Sequence, residues 1–155
     1  MKRIMILAAA LLAAVAVTGA VGAQTATDIQ LTRAELQQER QKIVAANLGL
    51  TEEEGVNFWV LYRDYRVEMA RVGDRLVKLI TDYAARRDSL TDAEASSLME
   101  EWLSIQTAEV SIRQKYLKKF QKILPMKKAV RFFQIENKMD AAVRYELAGM
   151  IPLVR

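Results

Sequence analysis

Apolar residues recur along residues 50–87 at alternating steps of three and four. The series is Gly55, Phe58, Tyr62, Tyr65, Met69, Val72, Leu76, Leu79 and Tyr83. A mean step of about 3.5 residues keeps such a stripe on one face of a helix and lets it follow a partner helix along its length. The pattern predicts a long helix over 52–87. A second apolar set, Val56, Val60, Val67, Val77 and Ala84, lies off that stripe. A helix that is apolar on two sides meets more than one neighbour. Whether the second stripe is buried within the chain or left open therefore decides if the helix has a binding face. Gly73, mid-helix, costs about 1 kcal/mol relative to alanine. It is expected to mark a close helix crossing or, failing that, a bend.

The same start signal opens three predicted helices. In Leu50-Thr51-Glu52-Glu53-Glu54, Thr51 can cap the helix while Glu54 reaches back to it. The carboxylates also face the positive end of the helix dipole. Three consecutive residues do not share one helix face, so this is a cap rather than a metal or acid–base site. Leu31-Thr32-Arg33-Ala34-Glu35 repeats the signal and predicts a helix over 32–48, with Leu36, Ile43, Val44 and Leu48 as a thin stripe and Gly49 as its stop. Leu90-Thr91-Asp92-Ala93-Glu94 repeats it again and predicts a helix over 92–124. Leu98, Trp102, Ile105, Ile112, Tyr116, Phe120 and Ile123 line one face, widened by Met99, Leu103, Val110, Leu117 and Leu124. Glu109 falls inside that face and is expected at its flank, paired with an arginine of the long helix.

Pro125 can open a last helix over 126–148, which carries Val130, Phe132, Phe133, Ile135, Met139, Val143 and Leu147 and stops at Gly149. The apolar tail over 150–155 is expected to dock on its own domain or on a partner. Because the connection at 88–91 is short, the helix after it must return antiparallel to the one before. The expected fold is all-α, an elongated four-helix antiparallel hairpin architecture with two long helices.

Composition narrows the function. Residues 1–23 have the make-up of a secretory signal peptide: Lys2 and Arg3, an uncharged apolar run from Ile4 to Val17, and the small residues Val21-Gly22-Ala23 before Gln24. The run is shorter than the roughly 20 residues of a spanning helix, so cleavage near Ala23 is expected over retention as an anchor. Residues 24–30 are expected to be a disordered lead-in and 31–155 a single helical domain. The chain has no Cys and no His. That excludes disulfides and a thiol nucleophile, and removes the commonest general base and metal ligand. No Asp, Glu, Lys, Tyr, Ser or Thr pair stands out from ordinary helix surface. No enzyme activity, cofactor or metal is expected.

The net charge of +4 is unevenly placed. Residues 28–109 hold 10 basic and 16 acidic side chains, whereas 113–155 hold 11 basic and 3 acidic. The basic half either packs against the acidic half or a second copy, or forms a surface for acidic clients or anionic lipid. The run from Phe58 to Arg66 interleaves aromatic residues and arginines, as nucleic-acid stacking surfaces do. In an exported protein no nucleic-acid partner is expected.

The repeated starts, Leu31, Thr32 and Glu35, Leu50, Thr51 and Glu54, and Leu90, Thr91 and Glu94, resemble the LTxxQ motif of the Spy/CpxP group of periplasmic proteins, with Glu in place of Gln. The segment Leu124-Pro125-Met126-Lys127-Lys128-Ala129-Val130-Arg131-Phe132-Phe133 is similar to the C-terminal copy of that motif, and Gln134-Ile135-Glu136-Asn137-Lys138 resembles uncharacterised exported proteins of the group. The resemblance implies a periplasmic dimer of long, bent helical hairpins that form a cradle. It implies a role as an ATP-independent chaperone, a stress-sensor accessory or a metal-stress protein. The metal-binding branch relies on His, Cys or dense Met, a pattern this chain does not have.

On that reading, Lys118, Lys119, Lys122, Lys127, Lys128 and Arg131 attract unfolded or partly folded envelope proteins. Met126, Phe132, Phe133 and exposed aromatics of the long helix give adaptable apolar contact. Contact with a membrane surface is compatible with the same charge. The alternative is a structural or regulatory module that binds one folded envelope partner through the basic helix end or the apolar tail.

Overall fold

The structure, a computed structural model, describes residues 37–154. The expected signal peptide at 1–23, the lead-in at 24–30 and the Leu31-Thr32-Glu35 cap lie outside those residues. The described chain is all-helical, with four helices and no strand. They are α1 (37–48), α2 (Glu52–Arg86), α3 (Asp92–Phe120) and α4 (Met126–Met150), with a 3-10 turn at Arg87–Ser89 between α2 and α3.

Local chemistry accounts for most of the boundaries. Gly49 takes φ 65°, the left-handed conformation that glycine adopts without steric cost, and α1 stops there. At the start of α2, Thr51 Oγ1 accepts the Glu54 N–H at 3.3 Å, and Glu54 Oε2 accepts the Thr51 N–H at 2.8 Å. Thr91 and Glu94 repeat this capping box at the start of α3, at 3.3 and 3.0 Å. The helix expected to reach 124 ends at Phe120. Beyond it, Lys122 and Ile123 donate to the carbonyls of Lys119 and Phe120, both at 3.1 Å, in three-residue steps. Leu124 precedes a proline, whose ring disfavours the α conformation there. The Pro125 carbonyl then accepts from Lys128 and Ala129 and starts α4. Gly149 does not stop α4, which continues to Met150. Gly73 marks no close crossing, because a Cβ built there would meet nothing within 4 Å.

The chain groups into two compact units. One is Leu50–Ala129 with Leu153–Arg155; the other joins Met1–Gly49 to Val130–Pro152. The first is an α2–α3 hairpin. Phe58, Tyr62, Tyr65, Met69 and Val72 of α2 are buried, as are Ile105, Tyr116 and Phe120 of α3. Phe58 meets Phe120 with ring centroids 5.3 Å apart, and Tyr65 meets Tyr116 at 5.4 Å.

Ion pairs run along the edge of the hairpin. Lys115 Nζ lies 2.7 Å from Glu68, Arg75 grips Glu101 with two hydrogen bonds of 2.9 Å, and Arg86 reaches Glu94 at 3.3 Å. Partners that climb α2 descend α3, so the two helices are antiparallel. Trp102, expected within the α3 core face, is exposed. Glu109 is buried rather than at the flank, and Arg113, one turn along its own helix, reaches it at 3.3 Å.

The second unit pairs α1 with the body of α4. Val44, Leu48, Phe132 and Met139 are its buried apolar residues. Arg40 is only 5% exposed and bonds Glu136 at 3.1 Å and Asp140 at 2.5 Å; Glu136 is 1% exposed. Arg131 donates to the Asn47 carbonyl at 2.6 Å, near the C-terminal end of α1, where such carbonyls lack helical partners. No helix among the described residues is long and apolar enough to cross a membrane.

Candidate functional site: the basic turn after α3

The nine residues expected to bind clients separate into distinct groups. Lys118, Lys119, Lys122 and Lys127 are exposed, and none of the four is ion-paired among the described residues. The reason lies in the local sequence: no Asp or Glu occurs between Glu109 and Glu136. The Lys119 ammonium lies 4.7 Å from the centre of the Tyr116 ring, a cation–π contact that leaves its outer side open. Met126 is exposed beside them, and Gln121 donates to its sulfur at 3.3 Å.

Lys128 differs from its neighbours. Its ammonium lies 2.6 Å from Glu54 Oε2, so it ties the first turn of α4 to the first turn of α2. The Lys128 hydrogen bond, and then the Thr51 N–H, hold the Glu54 carboxyl below its usual range. Lys115 is occupied in the same way by Glu68. That carboxylate also accepts the Tyr116 hydroxyl at 2.8 Å, and its pKa is lowered first by Lys115 and then by Tyr116. Burial, and secondarily Glu68, pushes the Tyr116 phenol well above its ordinary value, so it stays a donor.

Arg131, Phe132 and Phe133 belong to the other unit. Arg131 is exposed but engaged with the Asn47 carbonyl. Phe132 is fully buried and Phe133 half-buried, their rings edge-to-face at 4.9 Å. Phe132 is thus a core residue and not a client contact. On the long helix, Phe58, Tyr62 and Tyr65 of the core stripe are buried as expected, and Trp59 is half-buried, so few aromatics are left for client contact.

The open apolar surface is aliphatic instead. Val56, Val60 and Val67, at steps of four and seven along α2, are exposed by 72, 52 and 49%. These are members of the second stripe, turned away from the core, whereas Val77 is partly covered. Met99, Leu103 and Val110 form a similar exposed line on α3. Between α2 and the end of α3 lies a shallow, open groove of about 340 Å3, floored by Val60, Leu61 and Ile123 and edged by Lys119 and Lys122. No cluster of metal-ligating side chains occurs among the described residues. The arrangement offers cations and aliphatic surface side by side, which suits binding of groups that are anionic and apolar together.

Compared with known proteins, the chain matches no family model, and neither a curated protein nor a solved structure was found to be similar to it.

Proposed function

We propose that this protein is exported to the periplasm and acts by binding rather than catalysis, as an ATP-independent, chaperone-like holder of unfolded or partly folded envelope proteins. The observation that carries this reading is the α2 valine stripe, open in the single chain, next to lysines that form no ion pair among the described residues. Cations raise the encounter rate with acidic clients at long range. The aliphatic stripe then supplies contact weak enough for release. The repeated Leu-Thr-x-x-Glu starts, in their resemblance to Spy/CpxP proteins, support the same role and a homodimer. Two such chains would set their open faces around a client.

The test is light scattering from an aggregating client, without ATP, in the presence of excess protein. Suppression at low salt that weakens as salt screens the lysines is expected. An unchanged aggregation curve at low salt overturns the reading.

One observation favours a second reading. Leu153, 89% exposed, and Val154, 60% exposed, make an open apolar tail. Such a tail suits a module that binds a single folded envelope partner. Capture of one partner in fixed stoichiometry, lost when 151–155 is removed, would support it over the holder.

A further inference from the structure

The shallow groove between α2 and the turn after α3 takes in Val60 of the valine stripe and carries charge at one edge. Val60, Leu61 and Ile123 give it an apolar floor. Lys119 and Lys122 stand at its edge, exposed and not ion-paired. Asp64, with Asn57, completes the wall. Two ammonium groups against one carboxylate leave a local charge of about +1, which matches one negative group and not two. The volume of about 340 Å3 lies at the small end of the range for ligand sites, with room for a single alkyl chain rather than a two-tailed lipid.

We propose that this groove binds a free single-chain amphiphile with a singly charged anionic head, such as a fatty-acid carboxylate. The tail lies along Val60, Leu61 and Ile123. The head meets the Lys119 and Lys122 ammonium groups and is kept to one end by Asp64. Val60, exposed by 52%, gains cover when the chain binds. Neither lysine forms an ion pair among the described residues, so turning toward the head costs no more than the Lys119 contact with the Tyr116 ring. The inference goes beyond the holding role and does not depend on it.

The experiment is calorimetric titration of the folded protein with dodecanoate below its micelle-forming concentration. Decanoate, dodecyltrimethylammonium, dodecyl maltoside and vesicles carrying an anionic two-tailed lipid serve as the other arms. Saturable binding of one dodecanoate per chain is expected. With the tail about half covered, affinity should rise roughly twofold per added methylene. The cationic amphiphile should bind at least about tenfold more weakly than dodecanoate, because its head meets like charge. The double variant Lys119→Gln/Lys122→Gln should weaken dodecanoate about tenfold and leave dodecyl maltoside unchanged, and Val60→Asp should abolish saturable binding of both. All three positions are exposed, and circular dichroism checks that each variant is folded.

Equal affinity for the anionic and cationic chains overturns the proposal. So does dodecanoate binding that both variants leave intact, or binding seen only on the vesicles. Client aggregation assayed without amphiphile separates the two ideas. Suppression with no dodecanoate binding sinks the groove alone, and dodecanoate binding with no suppression sinks the holding role alone.

Discussion

In the unit built from α2 and α3, rings meet rings in the core and most charges sit at the edge, with Glu109 the exception. In the unit that holds α1, a guanidinium and a carboxylate lie inside, with a second carboxylate close to the surface. Phe58, Tyr65, Tyr116 and Phe120 make the hairpin core, with Glu68–Lys115 and Arg75–Glu101 beside it in partial contact with water. Arg40, Glu136 and Asp140 serve the smaller unit. The contrast follows from what the described helices bury. Two helices of 35 and 29 residues bury enough apolar surface to keep most charge outside, Glu109 apart. The 12 described residues of α1 bury chiefly Val44 and Leu48, so a polar lock fixes where they sit. A buried ion pair adds little net stability over apolar packing, but losing one partner is costly because the other charge stays behind.

The sharpest way to break that comparison is to delete one member of each core. Phe120→Ala should cost about 3–5 kcal/mol through lost burial and the cavity left behind. Arg40→Ala should cost about as much by stranding Glu136. Hydrogen exchange should assign the losses, with α2 and α3 amides deprotected in the first variant and α1 amides in the second. Replacing the pair together, as Arg40→Met with Glu136→Leu, should recover most of the second loss in urea unfolding. Failure to recover would mean the lock stabilises by more than mutual neutralisation.

Acid should act next, and on the hairpin edge. The carboxyls of Glu54, Glu68 and Glu101 are held below their ordinary 4.5 in the folded chain, chiefly by Lys128, Lys115 and Arg75. A group with a depressed folded pKa stabilises fully above its unfolded value and loses that contribution as pH falls through the folded one. The Tm should be flat from about pH 7 to 5 and drop by several degrees toward about pH 3. A Tm that holds or rises over the lower interval would contradict these pairings.

Smaller again is Gly73→Ala, which should raise stability by about 1 kcal/mol, since the new methyl meets open space and the helix gains propensity. Thermal unfolding would show a higher Tm; a lower one would place an unseen neighbour against Gly73. The smallest effect is expected for Arg75→Ala. Its bidentate bond to Glu101 is more than a third exposed on both sides, so solvent screening leaves only a small contribution, fading in high salt.

Much of this was legible in the sequence, for identifiable reasons. The boundaries at Thr51 and Thr91 could be read because a capping box is closed by residues three apart. The core stripe of α2 could be read because its spacing is the helix period itself. The end of α3 at Phe120 was missed because the proline effect acts back through the last turn. Glu109 and Trp102 were misplaced because period alone does not locate the edge of a packed face.

The candidate site was legible as a charge imbalance but not as a surface. The gap without Asp or Glu from 110 to 135 signals free lysines, yet Lys128 and Arg131 within it are committed to Glu54 and the Asn47 carbonyl. Phe132 read as an exposed anchor because its helix is basic, and it is buried instead. Arg40 drew no attention because its partners lie 96 and 100 residues away.

The sequence by itself determined that the chain is helical, where two long helices begin, and that histidine and cysteine chemistry is absent. Each of these is a local or compositional property. Only the tertiary structure decided which of the two apolar stripes of α2 is covered, which of the basic residues around 118–131 remain unpaired, and that Arg40 lies inside. Burial and pairing belong to neighbours remote in the chain, and a periodic pattern names a face without naming what packs against it.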